Sequence, residues 1–102
     1  MEFRNTESRF EAVDDNEIVG WLEYEQEGDD VAMTHTIVPE EFSGRGIGKQ
    51  LTEYAISYAA EHKWTVLPYC TFVQSYIRSH PDYLGLVPPD RRAEFSLEAH
   101  SD

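Results

Sequence analysis

The chain has one cysteine, Cys70, two lysines and no long apolar run. A lone cysteine excludes an internal disulfide. No stretch approaches about 20 consecutive apolar residues, which excludes a helical membrane span. The opening segment MEFRNTESRFEAVDD lacks the apolar centre of a secretory leader, so a cytoplasmic protein is expected. Positive charge is scarce: 8 Lys and Arg face 20 Asp and Glu, a formal charge of −12. Such a field repels nucleic acid and favours cationic ligands such as amines. Solubility alone, or adaptation to a salty cytoplasm, would also account for it. The four histidines show no ligand spacing, so no metal site is expected.

What is present points to one domain. The chain has 102 residues, 40% of them hydrophobic and 13% aromatic, enough for a modest core. Residues 8–13, 18–26 and 31–38 carry alternating or β-branched and aromatic residues and read as strands. The short polar turns between them imply antiparallel neighbours. Pro39 ends the third strand, because proline cannot donate to a ladder. From Gly46 the period changes: Ile47, Leu51, Tyr54, Ala55, Tyr58 and His62 recur at helical spacing, predicting a helix from about residue 45 to 62. The run WTVLP at 64–68 reads as a buried strand, parallel to the third with a right-handed crossover. Phe72, Val73, Tyr76, Ile77 and His80 then share a helical face before Pro81. The expected layout is β-β-β-α-β-α, an α/β (α+β) domain over residues 1–87 with a mixed, mostly antiparallel sheet. Residues 88–102 read as a polar tail.

Glycine is sparse too, yet three of the six stand at 44, 46 and 48, with Arg45 and Lys49 among them. The spacing excludes a Walker loop, which needs four residues before Gly-Lys and then Ser or Thr; here three intervene and Gln50 follows. It also excludes the G-x-G-x-x-G dinucleotide fingerprint. What remains is a helix start whose free N–H groups and positive dipole end suit an anion, with glycines that let a diphosphate approach. A ligand-free turn is the plain alternative.

The strand ending TIVP followed by GRGIGKQL resembles the acetyl-CoA-binding core of the GCN5-related N-acetyltransferases, whose signature is Gln/Arg-x-x-Gly-x-Gly/Ala. Gly46, Ile47 and Gly48 match its last three positions, and Ser43 stands where Gln or Arg is usual. The chain looks most like small single-domain members of that superfamily. They share a THT-x-VP strand, the glycine loop, a strand ending Pro-x-Cys and a helix ending HP-x-Y. Here these are Thr34 to Pro39, Gly44 to Lys49, Pro68 to Cys70, and His80 to Tyr83. The resemblance implies a minimal acyl-CoA N-acyltransferase fold whose sheet splays after the third strand. It implies acetyl-CoA as cofactor, its pantetheine arm on the backbone near Ile37 and Val38, and its diphosphate on Ser43, Gly44, Arg45, Gly46, Ile47, Gly48 and Lys49. The activity implied is acetyl transfer to an amine acceptor, a small amine or a lysine side chain. A domain that only binds CoA, or only a protein partner, is the alternative.

Three side chains are candidates for the chemistry. Cys70 starts the second helix, where the dipole favours a thiolate, and the resemblance puts it near the acetyl group. It serves a ping-pong route, or simply fills the core. His35 shares a strand face with Met33 and Ile37 by strict alternation and suits a general base or a buried structural role. Tyr76, ahead of Tyr69 and Tyr83, is the preferred donor to a leaving thiolate, although aromatics at this spacing also build cores. His62 and Lys63 suit the negative end of the first helix, and His80 the end of the second.

Overall fold

Three hairpin turns organise the sheet. Asp15 and Asn16 both take positive φ, the conformation of a two-residue hairpin turn, and Gly28 does so at the next reversal. The computed structural model describes residues 1–97. It contains β1 (Glu2–Asn5), β2 (Arg9–Asp14), β3 (Glu17–Glu27), β4 (Asp30–Ile37), α1 (Ile47–Glu61), β5 (Thr65–Pro68) and α2 (Thr71–Ser79). The five strands lie in the order β1-β2-β3-β4-β5. The first three pairings are antiparallel, and β4 and β5 are parallel, with α1 as the crossover between them. This is the expected mixed sheet with helices packed on it, plus one strand. Strand β1 was not expected: four residues with alternating glutamate and arginine carry little apolar signal. It is held by the ladder to β2 and by the Tyr24 hydroxyl, which donates to Asn5 Oδ1 at 2.6 Å and lies 2.8 Å from the Thr6 carbonyl.

One sheet face is the core. Phe10, Leu22, Tyr24, Val31, Met33 and Val66 meet Ile47, Leu51, Ala55, Ile56 and Ala59 of α1 and Val73 and Ile77 of α2. Gly20 permits this approach: a Cβ there would lie 2.9 Å from Ile47 Cγ2 and 3.3 Å from the Ile37 carbonyl oxygen. The first turn of α1 is thereby pressed onto the middle of the sheet. The other face is polar. Its buried member, Glu11, accepts from Arg4 Nε and Arg9 Nε, both at 2.7 Å. The hydrogen bond from Arg4 and the two positive charges outweigh the opposing effect of burial and hold the Glu11 carboxyl below its usual range.

The expected tail begins otherwise than its polarity suggests. Residues 89–91 and 93–95 form single 3₁₀ turns, and Phe95 and Leu97 are buried. Phe95 is 3% exposed and meets Tyr69 edge-on, with ring centroids 5.1 Å apart. Arg91 is bonded to Glu94 and donates Nη2 to the Tyr69 hydroxyl at 2.9 Å. Two apolar residues in a polar stretch are too few for a periodic signal, yet they suffice to dock it. Residues 98–102 lie outside the described residues. Among the described residues no helix is long and apolar enough to cross a membrane.

Candidate cofactor and acetyl-transfer site

Strand β4 ends before Pro39, a 3₁₀ turn follows at Glu40–Phe42, and the chain enters the glycine loop. Gly44 and Gly46 take φ of +83° and +73°, left-handed values that a side chain disfavours. Gly46 is the N-cap of α1, so the helix has no capping side chain. The first i to i−4 bond runs from Gln50 N–H to the Gly46 carbonyl, at 3.1 Å. Among the described residues, the N–H groups of residues 44–49 have no acceptor. No acidic residue lies in the first turn of α1, although the chain has 20, and Lys49 is there instead. Helix starts ordinarily attract acidic side chains, so the positive end of this one has no acidic partner in its own first turn. The space beside Gly44 is open, with no atom within 4 Å of where a Cβ would stand. The cradle therefore fits a diphosphate. Arg45 borders it, 3.6 Å from Asp14 and over the Phe42 ring. Ser43 turns away from it: its hydroxyl donates to the Glu40 carbonyl at 2.8 Å.

The second part of the site is a fork in the sheet. Strand β5 follows β4 from Asp30 opposite Thr65 to Met33 opposite Pro68. Cys70 N–H then donates to the Met33 carbonyl at 3.0 Å, and the strands part. Residues 34–37 of β4 keep β3 on one side and have no β5 partner on the other. At the same place β4 carries a bulge, since Glu23 pairs with His35 but Tyr24 with Met33, leaving Thr34 extra. The Thr34 hydroxyl donates to the Glu23 carbonyl at 3.2 Å. Beyond the bulge the faces exchange. Thr36, opposite core residue Leu22, turns to the helix side and brings Oγ1 to 3.0 Å from Cys70 Sγ. Cys70 is the N-cap of α2, 6% exposed, and Gln74 Nε2 braces the joint by donating to the Pro68 carbonyl at 2.9 Å.

The bulge also corrects the expectation for His35. Strict alternation put it on the face of Met33; the extra residue sends it to the opposite face. There its side chain is 69% exposed, with Nδ1 3.6 Å from Glu23 Oε1. It is not a core histidine. Ile37 remains on the same face as His35, half-buried, and Val38 packs against the core at the exit of the strand. Tyr76 lies on α2 in a groove with Lys49 and His80, stacked on the His80 ring at 4.1 Å between centroids. Burial, with Tyr83 and Glu53 nearby, raises its phenol above the ordinary value, so it stays protonated. The structure thus joins Cys70 to the fork; among the described residues no hydrogen bond links His35 or Tyr76 to it. Thr36 was missed as a site residue although the THT triplet was in view. Without the bulge, its side chain faces away from Cys70.

A mixed sheet that forks beside a glycine-rich helix start, with helices packed on one face, is an architecture shared with GCN5-like proteins. The chain belongs to the GCN5-related N-acetyl-transferase family, whose model matches residues 9–86. It is similar to Protein NATD1 of Xenopus tropicalis, 35% identical over 61 residues that cover 58% of this chain and 56% of that protein. The human Protein NATD1 is 33% identical over 61 residues, 58% of this chain and 54% of that one. The chain thus spans about half the length of the curated relatives it matches. Among solved structures it resembles a GCN5-like protein from Staphylococcus aureus determined in solution. The TM-score is 0.63 at 22% identity, over 85% of this chain and 87% of that one, a likeness of fold.

Proposed function

We propose that the chain is an acetyl-CoA-dependent N-acetyltransferase acting on a cationic amine. The observation that carries this reading is the continuity of glycine cradle and fork: free amides at residues 44–49 lead along the unpaired edge of β4 to the Thr36–Cys70 pair. CoA supplies an activated acetyl thioester. The cradle amides, with Arg45 and Lys49, hold its diphosphate, and the backbone at Ile37 and Val38 holds the pantetheine arm. The Thr36 hydroxyl and Cys70 thiol flank the thioester. The amine nitrogen would attack the acetyl carbon directly; the N–C bond would form as the C–S bond breaks, CoA would leave as thiolate, and the amine's proton would pass to solvent.

The uncovered sheet face favours a cationic acceptor. A cavity of about 340 Å³ is lined by Glu25, Glu27 and Asp30 together with Thr34 and Tyr69. His35 and Glu23 border the neighbouring hollow. One observation favours the second reading, a CoA-binding module without turnover: Ser43 replaces a polar anchor of the family signature and spends its hydroxyl on its own turn.

The test is incubation with acetyl-CoA and a panel of polyamines and lysine peptides, following free thiol release and product mass together. Acetylated amine in step with thiol establishes the transferase. Tight CoA binding with no product from any amine supports the binding module instead.

A further inference from the structure

Strand β1 is one outer edge of the five-stranded sheet. Just beyond it the Thr6 N–H donates to the Arg9 carbonyl at 2.8 Å, so the backbone of Thr6 faces β2. The β1–β2 ladder is regular, from Glu2 opposite Val13 to Asn5 opposite Phe10. Backbone groups of an antiparallel strand alternate sides, so Glu2 and Arg4 also face β2, while Phe3 and Asn5 turn N–H and C=O outward. Among the described residues no strand pairs with that outer side. The side chains alternate too. Glu2 and Arg4 stand exposed on the polar face of the sheet. Phe3 is half-buried on the helix side and stacks on Tyr54 of α1, with ring centroids 5.4 Å apart. Arg4 gives Nε to Glu11, and among the described residues its two Nη groups have no partner.

A row of like charges defends a sheet edge against a second copy of itself. This edge instead carries one charge of each sign, two residues apart on one face. A two-fold antiparallel pairing with its axis at Phe3 sets Glu2 of each copy opposite Arg4 of the other. Moving the axis to Glu2 or to Arg4 sets like charges face to face. Charge therefore selects the Phe3-centred register. In that register the outward backbone groups of Phe3 bond to those of the second copy's Phe3. Glu2 and Arg4 then fall at the non-hydrogen-bonded positions, where opposed side chains lie closest. On the helix side the two Phe3–Tyr54 stacks meet across the axis. We infer that β1 pairs with β1 of a second copy, joining two five-stranded sheets into one continuous sheet with both α1 helices on the same face. One short strand buries less than a standard interface of about 1,600 Å², and each copy carries a charge of −12, so the dimer forms at high protein concentration. The pairing is independent of the acetyl-transfer reading, because the fork lies between β4 and β5, at the other side of the sheet.

The experiment is sedimentation equilibrium of the wild type, Glu2→Arg and Asp82→Arg from about 10 µM to about 1 mM, with amide hydrogen exchange of the wild type at both ends of that range. Glu2 and Asp82 are both exposed, and circular dichroism checks the fold of each variant. The two substitutions change the net charge equally, so a general easing of repulsion would strengthen association in both. Edge pairing separates them. By symmetry Glu2→Arg creates two like-charge pairs and should weaken the dimer about tenfold or more. Asp82→Arg should leave the dimer as strong as in the wild type, or stronger. In the wild type at high concentration the Phe3 and Asn5 amides should exchange more slowly, while the Arg4 amide, already turned to β2, should change little. A wild type still monomeric at about 1 mM overturns the proposal. So does a dimer that leaves the Phe3 and Asn5 amides unprotected, or one that Glu2→Arg does not weaken.

Discussion

Thr36 and Cys70, 34 positions apart, bring a hydroxyl and a thiol within 3.0 Å across the fork of the sheet. Each is positioned by a different break in regularity, Thr36 by the bulge in β4 and Cys70 by the start of α2. The pair flanks the proposed acetyl site, and substitution of Cys70 separates two chemical routes. For direct attack, Cys70→Ala should leave CoA affinity within about threefold and lower turnover by about tenfold, the loss of a positioning contact. An acyl-cysteine route would instead lose turnover by about a thousandfold or more and show a stoichiometric burst of thiol in the wild type. Rapid-quench measurement of CoA release distinguishes the two.

The glycine cradle is tested by charge at constant shape. Gly46→Asp puts a carboxylate where the diphosphate is proposed to rest, at a φ of +73°. Gly46→Asn imposes a similar backbone cost, since asparagine and aspartate both tolerate this region better than other side chains. Titration with CoA should show binding abolished in the aspartate variant and retained, weakened by about tenfold or less, in the asparagine variant. Equal loss in both would mean that the loop's shape, and not an anion, is at stake.

Glu11 links stability to pH. Its folded pKa is depressed below the unfolded value, chiefly by the hydrogen bond from Arg4, so its contribution is present above the unfolded value. That contribution is lost as pH falls through the lower, folded value. Glu11→Gln should therefore cost about 1–2 kcal/mol at pH 7, with both arginines left in place. The gap to wild type should close as the pH drops below the ordinary carboxylate range. Urea denaturation at pH 7, 5 and 3 measures it.

Phe95→Ala tests the docked C-terminal segment. Removing a buried ring that packs against Tyr69 should cost about 2–4 kcal/mol and lower the thermal midpoint. A loss below about 0.5 kcal/mol would mean that residues 88–97 contribute little to the domain.

Much of this architecture was legible in the sequence. Helix α1 announced itself through Ile47, Leu51 and Ala55, and β3 and β4 through their β-branched and aromatic runs, because each presents one continuous apolar face. The glycine loop was legible for a different reason: dense glycine before a helix is costly unless backbone conformation demands it, and two of the three take positive φ. What was hidden depended on tertiary placement. Strand β1 is stabilised by its neighbour and by the Tyr24 hydroxyl, not by its own composition. Phe95 is one ring in a polar stretch. The facing of His35 and Thr36 turns on one extra residue that no local pattern marks. The groove beside Phe72 needs two helices at contact distance, which Gly48 permits but cannot specify from sequence.

The uneven distribution of charge gives the two proposed substrates separate avenues of approach. On the proposed function, an anion drifting toward this protein is turned back over most of the surface and met by the start of α1, whose first turn holds no acidic residue. A polyamine is drawn instead to the uncovered side of the sheet, where Glu25, Glu27 and Asp30 stand. Salt then acts in opposite senses on the two encounters. Screening the shell, over a Debye length of about 8 Å at physiological ionic strength, quickens arrival of the anion and slows that of the amine. On the proposed function, then, the surface makes the balance between the two encounters depend on the ionic medium.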